Sequence, residues 1–191
     1  NPNDLSIYAK KSYFMFDNEI VCVGSDISDK TGTDVKTVIE NRLWRNDDVL
    51  SINGSAVTPK TKTVFSPSDA PPALGTEIDA RTLHFTNMGG YVILEDDGNK
   101  LYYNKVTNHY NKTNGYYGEE LPSQQRGTRD FFELYMSHGS GDAQTGEITN
   151  NMYCYAYLPE ASVEETEQYF ANPDVELLHR TSNAHAVIEK K

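Results

Sequence analysis

The chain has 191 residues, 37% of them hydrophobic, and 17 Lys and Arg against 28 Asp and Glu, a net charge of -11. That length fits one all-β domain, and 13 Tyr offset the modest apolar fraction with large bodies that bury while their tips stay polar. So negative a protein repels polyanions at long range, which argues against nucleic acid as a partner; the plainer meaning of the charge is an acidic, soluble surface.

No run is long and apolar enough to span a membrane. The opening Asn1-Pro2-Asn3-Asp4 has neither the basic nor the apolar part of a secretory signal and lacks an initiator Met. The chain therefore reads as a piece or a mature form of a larger protein.

The first element is a β-hairpin over Lys11 to Ser25. Asp17-Asn18 supplies a two-residue turn of residues that tolerate the left-handed conformation, which sets Met15 opposite Ile20, Phe14 opposite Val21 and Tyr13 opposite Cys22. Both sets of alternating positions are apolar, so the hairpin is expected inside a sheet covered on both sides. Val35 to Leu43 alternates next, with Val35, Thr37 and Ile39 on one face and Lys36, Val38 and Glu40 on the other. Val49 to Ile52, Asn53-Gly54 and Ala56-Val57 read as a tight hairpin. Thr58 to Thr76, rich in Pro, Ser and Thr, reads as a loop.

Arg81 to Phe85 and Tyr91 to Leu94 read as strands parted by Gly89-Gly90, and Asp97-Gly98 turns the chain into Lys100 to Val106. Thr107 to Arg129 reads as a long polar loop, Asp130 to Met136 as a strand and Ser137 to Asn150 as a second loop. Met152 to Leu158 alternates sharply, Met152, Cys154, Ala156 and Leu158 against Tyr153, Tyr155 and Tyr157. Ser162 and Glu165 form a capping box that starts one short helix, Pro173 stops it, and Val175 to Leu178 and Ala184 to Ile188 are the last strands. The fold class is all-β: an antiparallel, multi-stranded β-sandwich with one short helix, residues 1–191 forming a single domain. Cys22 and Cys154 both lie in apolar strands and read as buried free thiols, with a disulfide the alternative.

Several segments together resemble one family. Lys11-Ser12-Tyr13-Phe14-Met15-Phe16-Asp17-Asn18-Glu19-Ile20-Val21 with Gly24-Ser25-Asp26-Ile27, then Val38-Ile39-Glu40-Asn41-Arg42, Gly90-Tyr91, His138-Gly139, Tyr155-Ala156-Tyr157-Leu158-Pro159 and Ala186-Val187 resemble, in order, segments of the hyaluronate, chondroitin and xanthan lyases, polysaccharide lyase family 8. His185 stands where Gln is usual, and Asn99 to Arg129 departs most from the pattern. The resemblance implies the later part of a central β-supersandwich in a secreted or surface enzyme. That enzyme's catalytic Asn, His, Tyr and Arg would lie on an N-terminal α/α toroid of the same polypeptide. No segment here matches those catalytic motifs, so no catalytic residue is assigned and the chain alone is expected to be inactive. The implied substrate is an acidic polysaccharide, met through the parent enzyme, and no cofactor is implied.

The implied reaction is β-elimination at a uronic acid, which needs a neutralised carboxylate, a base at C5 and an acid at the leaving oxygen. His109, Tyr110, Tyr116, Tyr117, Arg126 and Arg129 are the substrate-proximal candidates, because rings stack on sugars and Arg pairs with carboxylates; a glycine-rich edge loop is the competing reading. Glu40, Asn41 and Arg42 read as a buried polar network tying sheet to sheet, and His138 as a hydrogen-bonded structural histidine. No metal site is expected: the histidines are neither paired at helical spacing nor clustered with cysteines, and Asp96-Asp97-Gly98-Asn99 works as a turn. Asn53-Gly54-Ser55 and Asn111-Lys112-Thr113 are glycosylation sequons. The alternatives to a lyase scaffold are a stand-alone carbohydrate-binding module, with Tyr110, Tyr116 and Tyr117 as its platform, and a purely structural or adhesive surface domain.

Overall fold

The computed structural model describes residues 7–30, 34–63, 75–109, 128–139 and 148–190. Among these described residues, fourteen strands and one helix follow in chain order. They are β1 (Ile7–Met15), β2 (Ile20–Asp29), β3 (Lys36–Trp44), β4 (Leu50–Ile52), β5 (Ser55–Val57), β6 (Thr61–Thr63) and β7 (Thr76–Ile78). After these come β8 (Thr82–Phe85), β9 (Gly89–Glu95), β10 (Lys100–His109), β11 (Thr128–Ser137), β12 (Ile148–Pro159), α1 (Val163–Ala171), β13 (Val175–Arg180) and β14 (His185–Glu189).

Seven strands make the central sheet, in the order β1-β2-β12-β9-β8-β4-β5. A second sheet, β3-β11-β10-β6 with β7 also on β10, covers one face. Helix α1 and the β13–β14 hairpin cover the other. Strand pairing is antiparallel except between β6 and β10, which run parallel. Cys22, Ile93, Tyr153 and Tyr155 point from the central sheet into the inter-sheet core, where they share a cluster with Phe132, Leu134 and Met136 of the second sheet. Val21, Val23, Val92, Cys154, Ala156 and Leu158 point the opposite way, onto Val175. Cys22 and Cys154 are both buried free thiols, and a strand presents neighbouring positions to opposite faces, so no disulfide can join them.

The hairpin pairs Tyr13 with Cys22, Phe14 with Val21 and Met15 with Ile20, the register read from the sequence. The turn itself differs. Neither Asp17 nor Asn18 has positive φ, and the Phe16 N–H donates to Glu19 O at 3.0 Å. A turn of ordinary hand admits these residues without left-handed backbone. The double cover expected of the hairpin holds for β2 and not for β1. β1 is the sheet edge, and on the inter-sheet side Tyr13 is 60% and Met15 76% exposed.

Four further readings are corrected. Thr58 to Thr76 is not all loop, since β6 and the start of β7 lie in it and take their hydrogen bonds from the distant β10. Gly89-Gly90 opens β9 instead of parting two strands, and the turn sits before it, where Asn87 has φ 63°. A Cβ on Gly90 would stand 2.0 Å from Thr166 Oγ1, so the glycine is what lets α1 lie directly on the sheet. Thr107 to His109 and Thr128 to Arg129, read as loop, are strand instead: β10 runs to His109 and pairs it with Thr128. Glu40 does not share a face with Lys36 and Val38: a bulge opposite Leu134 and Tyr135 shifts the alternation and turns Glu40 inward. Asn53-Gly54 forms its turn with φ of 48° and 74°, and the capping box at Ser162 and Glu165 is complete in both directions.

Candidate functional site

The polar residues gather in three places. The first is a seam between the two sheets. The β3 bulge points Glu40 at Tyr91 of β9, whose hydroxyl donates to Glu40 Oε2 at 2.5 Å, while Glu40 Oε1 accepts the Asn41 N–H at 2.9 Å. Tyr91 stacks on Tyr157 with ring centres 4.9 Å apart. Burial, and then the Glu40 charge, push the Tyr91 phenol well above its ordinary range. One turn of strand further on, Arg42 Nη2 meets Asp48 Oδ1 at 3.2 Å, Asp48 Oδ2 accepts the Arg45 N–H at 2.7 Å, and the guanidinium lies 5.7 Å from the Phe85 ring centre. Arg42 Nη1 is buried without a hydrogen-bond partner. The Asn41 side chain is exposed on the outer face.

The second place surrounds His138, which is buried and stacks on Tyr153. Asn99 commits its amide nitrogen to the carbonyls of Asp96 and Met152, so its oxygen faces the ring and accepts from Nδ1–H at 3.1 Å. Nε2 is then the acceptor for the Thr37 hydroxyl at 2.8 Å. Burial, with help from the Lys11 charge, holds the His138 pKa down at about 4. The ring is a neutral strut between β3, the β9–β10 turn and β12.

The third is an open groove of about 930 Å3 at the tip of the β1–β2 hairpin, walled by the end of β12 and by α1. Among the described residues, its lining includes the carboxylates of Asp17, Glu19, Glu160, Glu165 and Asp174 and no Lys, Arg or His. Glu19 is only 3% exposed. Burial chiefly, with the charges of Asp174 and Glu189, raises its pKa against the pull of Tyr169.

Of the substrate-proximal candidates, Tyr110, Tyr116, Tyr117 and Arg126 lie outside the described residues, and His109 closes β10. Arg129 is exposed on β11, and its Nη1 donates to Thr128 O at 2.8 Å. Among the described residues, no three His, Cys, Asp or Glu side chains gather closely enough to hold a metal. No described helix is long and apolar enough to cross a membrane.

Residues 3–170 match the family model described as polysaccharide lyase family 8, super-sandwich domain. The chain belongs to polysaccharide lyase family 8. It is 26% identical over 189 residues to a xanthan lyase of Bacillus sp. (strain GL1), covering 97% of this chain and 19% of that protein. It is 24% identical to the chondroitinase-AC of Pedobacter heparinus (97% and 23%) and 26% identical to the hyaluronate lyase HylB of Enterococcus faecalis (98% and 17%). The chain thus spans about a fifth of the length of these relatives. The structure of a Paenibacillus xanthan lyase superposes with a TM-score of 0.71 at 27% identity, over 98% of this chain and 17% of that one. A chondroitin AC lyase of Streptomyces coelicolor superposes at 0.61 and 20% identity, a likeness of fold.

Within this family 8 super-sandwich domain, reading the residues alone overlooked Tyr91, Asp48 and Asn99, the partners of the singled-out Glu40, Arg42 and His138. It also overlooked His185 as a link. Ser25 Oγ donates to Thr181 O at 2.9 Å, so His185 Nε2–H donates to Ser25 Oγ at 2.7 Å and Nδ1 accepts from Ser12 Oγ at 2.8 Å. The ring joins β14 to β1 and β2. A Ser at each of two sheet positions facing a single His was the available signal.

Proposed function

We propose that residues 1–191 form one non-catalytic β-sandwich domain of a longer, secreted or cell-surface polysaccharide lyase. That enzyme would cleave a uronic-acid-containing glycan of the hyaluronan, chondroitin or xanthan type by β-elimination. The domain would support an N-terminal catalytic toroid and line part of the substrate cleft. The observation that carries this reading is similarity along 97–98% of the chain to three lyases of which it spans about a fifth. Near-equal identities to enzymes named for three different glycans fit a part whose sequence follows scaffold and not sugar.

The side-chain chemistry agrees. A tyrosine serving as the base in β-elimination must first lose its own proton, so that its phenolate can take the one at C5. Burial pushes the phenols of Tyr91, Tyr153 and Tyr155 the other way, and His138 has both ring nitrogens engaged inside the fold. The test incubates the purified chain and the full-length polypeptide separately with hyaluronan, chondroitin and xanthan, following the ultraviolet absorbance of the unsaturated uronate. Product from the full-length protein only is the expected result. Product from the chain alone would overturn the non-catalytic role.

A further inference from the structure

The Asn53-Gly54 turn joins two three-residue strands, β4 and β5, at an edge of the central sheet. Such short edge elements are where a fold opens first. Asn before Gly is also a chemically vulnerable pair, because Gly54 has no side chain to screen its backbone nitrogen from the Asn53 amide carbon. In this fold the amide is held away from that nitrogen. Asn53 Nδ2 donates to Asp79 O at 2.9 Å, and Oδ1 accepts the N–H groups of Arg81 at 2.9 Å and Thr82 at 3.3 Å. The Asn53 N–H donates to Thr82 O at 3.0 Å, and the two turn residues hold φ of 48° and 74°. All four bonds reach across to the segment 79–82 that leads into β8, and none stays within the turn. A ring closed on Gly54 N takes the amide carbon back onto its own following residue, so the three side-chain bonds break first. At a factor of roughly five for each hydrogen bond, together they hold closure back roughly 100-fold.

We propose that Asn53 is a latent self-modification site: it deamidates through a ring closed by Gly54 N, and the hydrogen bonds from residues 79–82 hold that reaction off while the β4–β5 turn is shut. In the first step Gly54 N bonds to Asn53 Cγ as the Cγ–Nδ2 bond breaks, and Nδ2 leaves as ammonia with the proton that Gly54 N gives up. Water then opens the ring, and nothing is oxidised or reduced. Attack at Cγ leaves an aspartyl residue at position 53. Attack at the main-chain carbonyl leaves an isoaspartyl residue, whose backbone is one atom longer. A longer backbone does not fit a two-residue turn that pairs Ile52 with Ser55. In the aspartyl form an oxygen stands where Nδ2 donates, facing the Asp79 carbonyl with no proton between them. The Glu167 carboxyl carbon, 3.5 Å from where a Gly54 Cβ would stand, puts a like charge nearby. The modification therefore weakens the closure that prevents it.

The test incubates the 191-residue chain in mildly alkaline buffer, folded and in parallel unfolded in urea, and follows position 53 by peptide mass spectrometry with isoaspartate detection. Peptide mapping separates it from the second Asn-Gly pair of the chain, Asn114-Gly115. Conversion at Asn53 should be roughly 100-fold slower in the folded chain, with isoaspartate among the products as the mark of the ring. Equal rates in the two samples overturn the restraint. A faster folded chain does so too, since it would mean that the two N–H donors on Oδ1 activate the carbonyl instead of holding it. A variant then isolates the strap from folding in general. Arg81→Pro deletes one N–H donor to Oδ1, and in a chain that still melts cooperatively it should speed conversion roughly fivefold. An unchanged rate in that folded variant overturns the role given to these bonds. Where Arg81→Pro prevents folding, the ratio of folded to unfolded rates in the wild-type chain decides alone.

Discussion

Replacing His138 with Gln keeps one donor and one acceptor between Thr37 and Asn99 and removes the only group there that can titrate. The pKa of His138 lies at about 4 in the fold against an ordinary 6.5, because its buried ring resists a charge. The folded pKa is the lower one, so the unfolded chain takes up the proton first as pH falls. The ring's contribution is therefore fully present above about pH 6.5 and is lost as pH falls toward about 4. From about pH 7 to about pH 5 this linkage amounts to about 2 kcal/mol. Urea unfolding at both pH values should show the wild-type chain losing about that much more stability than H138Q. The variant will be less stable near neutrality, because Gln fills the ring's space poorly; the pH slope is the readout. Equal slopes for the two proteins would refute the account of His138 as a buried neutral strut.

Gly90→Ala places a methyl against Thr166 on the buried face of α1 and should destabilise by about 1–3 kcal/mol, lowering the thermal midpoint by several degrees. Adding Thr166→Ala should recover part of that loss and no more, since the Thr166 Cβ itself lies 2.8 Å from the new methyl; full recovery would show that α1 is held elsewhere. Ser162→Ala removes the hydroxyl that accepts the Glu165 N–H, and urea unfolding should register a loss of about 1 kcal/mol; no loss would mean that the helix start is held by packing alone.

The elements that could be read from the chain are those whose signal is local. The two-residue turn set the β1–β2 register, the period-two run Met152 to Leu158 separated aliphatic from aromatic faces, and Ser162-x-x-Glu165 placed the helix start. What escaped depends on partners distant in sequence. β6 and β7 are three residues each and exist because β10 offers them hydrogen bonds. Gly89-Gly90 carries the composition of a turn, yet Gly90 is what admits a helix that comes some 70 residues later, and Gly89 lies against the Leu158 carbonyl. Glu40 was assigned to the wrong face because strict alternation cannot register a bulge. Its neighbour Arg42 was noticed, while the buried Asp48 that answers it sits in a short loop where Asp is the ordinary turn residue.

The two faces of the central sheet solve different problems. On the helix side Val21, Val23, Val92, Ala156 and Leu158 pack as plain aliphatics, and the cover is positioned by its own chain connection and by specific links such as Gly90 under Thr166 and His185 between Ser12 and Ser25. On the other side two extended sheets meet, and aliphatic packing alone would let one slide over the other at little cost, because burial is non-directional. Tyr91 to Glu40 answers that, since this bond between β9 and β3 forms in one alignment only, while Arg42 to Asp48 braces the connection from β3 to β4. The cost is real: Arg42 Nη1 remains buried without a partner. The seam keeps that cost and fixes how the two sheets align, which burial of aliphatic side chains alone would leave free.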